Sequence, residues 1–296
     1  MKRSILGVLL VLTFVAVGIA AAPPLTFKFT DVHANKTALE TDTYGVNNAG
    51  VIVGDYVDAK SVQHGMILAG TKLTTVDNKA CEAISGTGGI SFYGVNSAGA
   101  AAGWCTSAKT GLAEAFVYAK GKFTPVSFPK SNGTEATGIN DKGEVVGLYL
   151  DSANNAHGFL FANKKYTAIN VKGATQTAAW SINNAGEISV YTGVTTTPFA
   201  AYILKGTKFT KVADPKAGSD GTVIHTINNV GDVDGTYYDS AANTHGFLLH
   251  GGKYYDVEDP NSPNLSRADG LNDKAVIVGR YGSGSFGGTG FKATYK

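Results

Sequence analysis

Three aspartate–histidine pairs recur along this chain at one spacing: Asp58 with His64, Asp151 with His157, and Asp239 with His245. A carboxylate beside an imidazole can hold a proton or contribute to a metal site. One Asp and one His are too few ligands for zinc, and the three pairs lie far apart, so a local hydrogen bond is the expected role. Asp232-Val233-Asp234-Gly235 begins like a calcium loop but lacks the later carboxylates, and reads better as a turn entering a strand. The chain has no P-loop, no G-x-S-x-G elbow, no H-E-x-x-H and no C-x-x-C. The run Gly86-Thr87-Gly88-Gly89 sits in a polar stretch with no strand and helix around it, which disfavours a phosphate cradle. Neither a metal nor a cofactor is expected.

The elements that position these residues come from a repeated phrase: an apolar residue, Asn, two residues, then Gly. It occurs at Val46-Asn47, Val95-Asn96, Ile139-Asn140, Ile182-Asn183, Ile227-Asn228 and Leu271-Asn272, with Ala275 replacing the last glycine. The asparagines are 43 to 49 residues apart, a period that suits a unit of four strands. The third repeat reads as strand A (Thr137 to Asn140), strand B (Glu144 to Leu150), strand C (His157 to Phe161) and strand D (Tyr166 to Val171), alternating as strands do. Asn and Gly both tolerate the positive φ of hairpin turns, and Asn can also bond its own backbone, so the six asparagines read as turn devices.

The last repeat ends near Phe291-Lys292-Ala293 without a strand D. The missing phrase stands at the other end of the chain. Phe29-Thr30-Asp31-Val32 matches Phe123-Thr124-Pro125-Val126, Phe209-Thr210-Lys211-Val212 and Tyr254-Tyr255-Asp256-Val257. An open stack has no reason to split one repeat between its ends, whereas a ring does, because the pairing closes the circle and covers a sheet edge. The expected fold is all-β: a six-bladed β-propeller with four-stranded blades, residues 23–296 forming one domain, closed by the N-terminal strand.

These phrases resemble the HAF-type extracellular repeats, through His64-Gly65-Met66, Glu114-Ala115-Phe116, His157-Gly158-Phe159 and His245-Gly246-Phe247. Ala200-Ala201-Tyr202 and Thr289-Gly290-Phe291 depart from the signature. The resemblance implies an extracellular repeat protein and carries no biochemical activity with it.

In such a ring strand A lines the central channel. The residue two before each apolar–Asn pair then stands near the channel mouth: Tyr44, Tyr93, Thr137, Trp180, His225 and Asp269. The frame around these positions repeats while their chemistry varies, as on a scaffold that presents a site. Packing between blades is the common role for such aromatics. The competing role is a ligand surface of Tyr44, Tyr93, Trp180, His225 and Asp269 for a sugar, small aromatic or peptide.

Residues 1–22 read as a signal peptide: Lys2 and Arg3, an apolar stretch from Ile5 to Ile19, then Ala20-Ala21-Ala22, with cleavage after Ala20 or Ala22. The compartment is then the periplasm or the medium, with no membrane insertion after cleavage. Without Lys2 and Arg3 the 25 basic residues fall to 23, equal to the 23 acidic ones, which disfavours a nucleic-acid partner. In an oxidising compartment Cys81 and Cys105 are expected to pair, pinning the longest interblade loop by about 3 kcal/mol.

The leading expectation is a monomeric, non-enzymatic module that binds an extracellular glycan, peptide or protein. One alternative is a hydrolase or lyase acting on a polymer such as a polysaccharide, with His225 as base and Asp269 or Asp220 as acid or orienting group. The other is a structural surface protein without a small-molecule site.

Overall fold

The computed structural model describes residues 25–81, 89–282 and 288–296. The leader reading and residues 86–88 of the glycine-rich run fall outside the described residues. The twenty-four strands among the described residues are numbered in chain order. After β1 (Phe27–Val32), blade 1 holds β2 (Glu40–Val46), β3 (Val51–Val57), β4 (Gln63–Ala69) and β5 (Lys72–Val76). Blade 2 holds β6 (Ser91–Val95), β7 (Ala101–Thr106), β8 (Ala113–Ala119) and β9 (Lys122–Pro125). Blade 3 holds β10 (Thr134–Ile139), β11 (Val145–Leu150), β12 (Ala156–Ala162) and β13 (Lys165–Ile169). Blade 4 holds β14 (Thr177–Ile182), β15 (Ile188–Thr192), β16 (Ala200–Lys205) and β17 (Lys208–Val212). Blade 5 holds β18 (Thr222–Ile227), β19 (Val233–Tyr238), β20 (Thr244–His250) and β21 (Lys253–Val257). Blade 6 takes β22 (Ser266–Leu271), β23 (Val276–Tyr281) and β24 (Thr289–Tyr295), and β1 completes it.

The molecule is therefore a six-bladed β-propeller. Its closure is an antiparallel pairing of β1 with β24, from Phe27 opposite Tyr295 to Val32 opposite Gly290. Phe27 and Phe29 pack into the core of blade 6 against Phe291 and Tyr295, so the ring is shut by apolar contact as well as by the strand ladder. Polar contacts also join blade 6 to blade 1, with Thr43 Oγ1 donating to the Gly279 carbonyl at 2.6 Å.

Each residue of the three-letter signature has a physical place. Its third residue plugs the blade core: Met66, Phe159, Phe247 and Phe291 are fully buried. Its second is small because the next blade leans on it; a Cβ at Gly158 would lie 3.1 Å from the Ala179 amide. Its first, where it is His, ties the rim hairpin together. His157 Nε2 is 3.1 Å from Asp151 and its Nδ1 is 2.8 Å from Asn170, while Asp151 Oδ1 accepts the N–H groups of Ala153 and Asn155. His245 repeats the arrangement with Asp239 and Glu258. His64 does so more loosely with Asp58, at 3.5 Å.

The six asparagines do more than cap turns. Asn47 Oδ1 accepts the N–H groups of Ala49 and Val51, the expected turn device. The positive φ of these turns falls on the other residue of the phrase, Gly50, Gly99, Gly143, Gly186 and Gly231, and on Ala275 in the sixth. The remaining donor of each asparagine reaches the next blade. Asn47 Nδ2 donates to the Asn96 carbonyl, Asn96 to Asn140, Asn140 to Asn183, Asn183 to Asn228, Asn228 to Asn272, and Asn272 back to Asn47, at 2.9–3.2 Å. A closed circle of six hydrogen bonds thus runs around the channel.

Cys81 and Cys105 form a disulfide, with Cα atoms 5.7 Å apart. It fixes the short helical turn Lys79–Cys81 to β7. Asp232 and Asp234 hold no loop of their own. Asp234 Oδ1 accepts the Thr226 N–H, and Asp232 bonds His250 and the Tyr295 hydroxyl.

Candidate functional site at the channel mouth

In all six blades the pairing of the innermost strand with its neighbour slips by one residue. The slips fall between Thr43 and Gly45, Phe92 and Gly94, Ala136 and Gly138, Ala179 and Ser181, Ile224 and Ile227, and Ala268 and Gly270. Each is a β-bulge, and the extra residue is the candidate position: Tyr44, Tyr93, Thr137, Trp180, His225 with Thr226, and Asp269. A bulge leaves its residue out of the ladder and re-aims its side chain. It also presses strand A onto strand B, which explains the glycine there. A Cβ at Gly54 or Gly147 would lie 1.9 Å from the carbonyl oxygen of Asp42 or Glu135. The bulge accounts for one misread boundary too: strand A of blade 3 begins at Thr134, three residues before the expected start, because the slip breaks the alternation.

Tyr44, Tyr93, Trp180, His225 and Asp269 line one hollow of about 240 Å³. Thr137 does not join them. Its hydroxyl donates to the Ala179 carbonyl at 3.0 Å, and it borders a second hollow of about 110 Å³ beside the asparagine turns. Tyr93, Trp180 and Asp269 border both hollows. Tyr44 stacks on Tyr93 with ring centroids 4.6 Å apart, and Trp180 meets Tyr93 edge-on at 5.5 Å. The Trp180 ring lies 5.8 Å from that of His225.

His225 Nδ1 lies 2.7 Å from the Ala268 carbonyl and 3.3 Å from Asp269 Oδ1. A carbonyl only accepts, so Nδ1 carries the hydrogen and the neutral ring keeps Nε2 as an acceptor. Burial holds the imidazole below the ordinary histidine range, and the nearby Asp269 does not make up the difference. Arg280 donates from Nη1 to Asp42 at 2.6 Å and to the Tyr44 hydroxyl at 2.8 Å; its Nε is 3.8 Å from Asp269. Burial works against the guanidinium's charge, and Tyr44, Asp269 and Asp42 around it more than restore it. Asp269 Oδ2 and Thr236 Oγ1 are buried without a hydrogen-bond partner. Unpaired buried acceptors are costly, and the hollow is where a donor could reach them.

Asp220 stands outside this group. It lies in the loop before β18, where its carbonyl accepts the Phe199 N–H, and it does not line the hollow. Of the two acidic choices for an enzyme reading, only Asp269 is brought to His225. Sequence reasoning missed Arg280, Tyr191 and Thr236, which also line the hollow. All three follow the strand-B position that holds glycine in five blades. Residues at that place (Asp55, Trp104, Leu148, Tyr191, Thr236, Arg280) vary in chemistry as the bulge residues do, which is a usable signal. Arg267, Phe199 and Tyr238 complete the outer wall.

No family model and no curated protein matches the chain. Solved structures do. The fucose-specific lectin from Aleuria aurantia is 12% identical with a TM-score of 0.57, over 88% of this chain and 96% of that one. A structure of this fungal lectin described as a six-bladed β-propeller is 11% identical with a TM-score of 0.54, over 84% and 89%. TolB from Acinetobacter baumannii is also 11% identical with a TM-score of 0.54, over 90% and 68%. At these identities the likeness is one of fold.

Proposed function

We propose that this chain is a secreted, non-enzymatic carbohydrate-binding propeller whose glycan enters the hollow lined by Tyr44, Tyr93, Trp180, His225 and Asp269. The observation that carries the reading is Asp269 Oδ2, buried without a hydrogen bond at the aromatic-lined hollow and only 3.8 Å from Arg280 Nε. A sugar hydroxyl supplies the missing donor, and the apolar face of a pyranose lies well on tyrosine and tryptophan. That solved propellers of similar fold include a fucose-specific lectin supports the ligand class. Secretion rests on the leader-like residues 1–22 and on the disulfide, which suits an oxidising compartment. Among the described residues no helix is long and apolar enough to cross a membrane. Kinship with the HAF-type extracellular repeats rests on the four signatures and belongs to the same proposal.

A glycan array and thermal-shift screen on the purified protein tests the reading. Trp180→Ala should weaken a hit by roughly tenfold or more while the variant still unfolds cooperatively. Binding that persists unchanged in Trp180→Ala removes the hollow as the site. The polymer-cleaving alternative draws on the contact between His225 and Asp269, which has the form of a base with its orienting group. It requires products, so assaying the same bound glycans for new chain ends decides between the two.

A further inference from the structure

Arg267 and Arg280 are direct partners in the pairing of β22 with β23, so both side chains leave the sheet on the same face. Like charges set directly opposite one another destabilise a strand pair. Arg280 is compensated by Asp42 and Asp269. Among the described residues Arg267 has no carboxylate within ion-pair distance, although it lines the hollow. Two arginines left directly opposite one another are the kind of local rule-breaking found at functional positions.

The hollow therefore holds two opposite kinds of unused group. Arg267 offers a planar fork of donors, the geometry that matches a carboxylate. Asp269 Oδ2 offers a buried acceptor, and the Thr236 hydroxyl a buried group that can accept or donate. A small anion would satisfy the arginine and leave Asp269 Oδ2 without a hydrogen bond. A neutral sugar would satisfy Asp269 and leave Arg267 without a counter-charge.

We propose that the ligand is an acidic sugar of the hexuronate type, with Arg267 taking its carboxylate and Asp269 accepting from its hydroxyls. This rests on the carbohydrate reading above and narrows it. The test is calorimetric titration of the full protein with disaccharides ending in glucuronate or galacturonate, set against their carboxyl-reduced counterparts ending in glucose or galactose. The acidic members should bind roughly ten- to a hundredfold more tightly, the gain typical of hydrogen bonds to a charged group. Added salt should shrink that preference. Arg267→Gln should level the two series. Because the substitution relieves the arginine conflict, the variant should melt no lower than the parent, which separates lost recognition from lost fold. Equal binding of both series overturns the acidic-sugar inference and leaves the carbohydrate reading standing. A preference that survives Arg267→Gln overturns the role of Arg267. Failure of both series to bind overturns the inference together with the reading beneath it.

Discussion

Asp55 and Glu135 sit beside the channel in surroundings that favour their protonated forms. Burial, helped by the Asp42 carboxylate, pushes Asp55 up to about 8, and burial alone pushes Glu135 up to about 7. Two rim histidines also end above their ordinary range. Burial opposes the charge of His157 and His245, but hydrogen bonds to Asn170 and Asp151, and to Glu258 and Asp239, outweigh it. Each of these four groups binds its proton more tightly folded than unfolded. Their stabilisation is whole at acid pH and lost as pH climbs, from about 4 for the carboxyls and about 6.5 for the histidines. His225 acts the other way, penalising the fold as pH falls below about 6.5. With these raised groups set against His225, the melting temperature should be higher near pH 5.5 than near pH 8, and Asp55→Asn should flatten the slope. A melting temperature that rises across that window would contradict these assignments. The Asp–His partners on the rim were legible because a hairpin links them. The Asp42–Arg280 pair was not, because the ring seam joins residues from the two ends of the chain.

At the scale of the element, the turn between strands A and B shows what the repeat encodes and what it hides. The left-handed residue is glycine in five turns and Ala275, with φ of 58°, in the sixth. An L-residue held there costs about 1 kcal/mol or slightly more. Ala275→Gly should therefore stabilise the protein by about 1 kcal/mol, raising its melting temperature by roughly 2–4 °C. No rise would mean that the turn is not strained at this position. The phrase announces the turn, since glycine and asparagine have local reasons to be there. It is silent on the circle of side-chain bonds linking each asparagine to the next blade, because those partners lie more than forty residues away. It is silent on the bulges for another reason. An inserted residue shifts the alternation by one, and in a short strand that shift looks like an earlier start or end.

For the whole molecule the displaced strand D phrase was the decisive sign, and β1 beside β24 is its outcome. Removing residues 25–33 takes Phe27 and Phe29 from the core of blade 6 and bares the outer edge of β24. Losing two large apolar side chains from such a core costs about 3 kcal/mol or more, and a bare edge invites pairing with another chain. The shortened protein should melt well below the parent and form assemblies that grow with concentration, as light scattering would show. An unchanged melting temperature in a monodisperse shortened protein would refute the closure. The far wall of the hollow, Phe199 and Tyr238, stayed illegible in the sequence, since only the curvature of the ring carries blade 5 and the rim of blade 4 to the same opening.

The same closure sets an order of events. The strand β1 cannot find its place until β24, made after all five intervening blades, is available to pair with it. Five blades can assemble from adjacent sequence meanwhile, and only the sixth must wait for a meeting across the full length of the polypeptide, the slow kind of contact. Until that meeting β1 remains a lone ribbon of alternating apolar and polar residues with an unpaired edge.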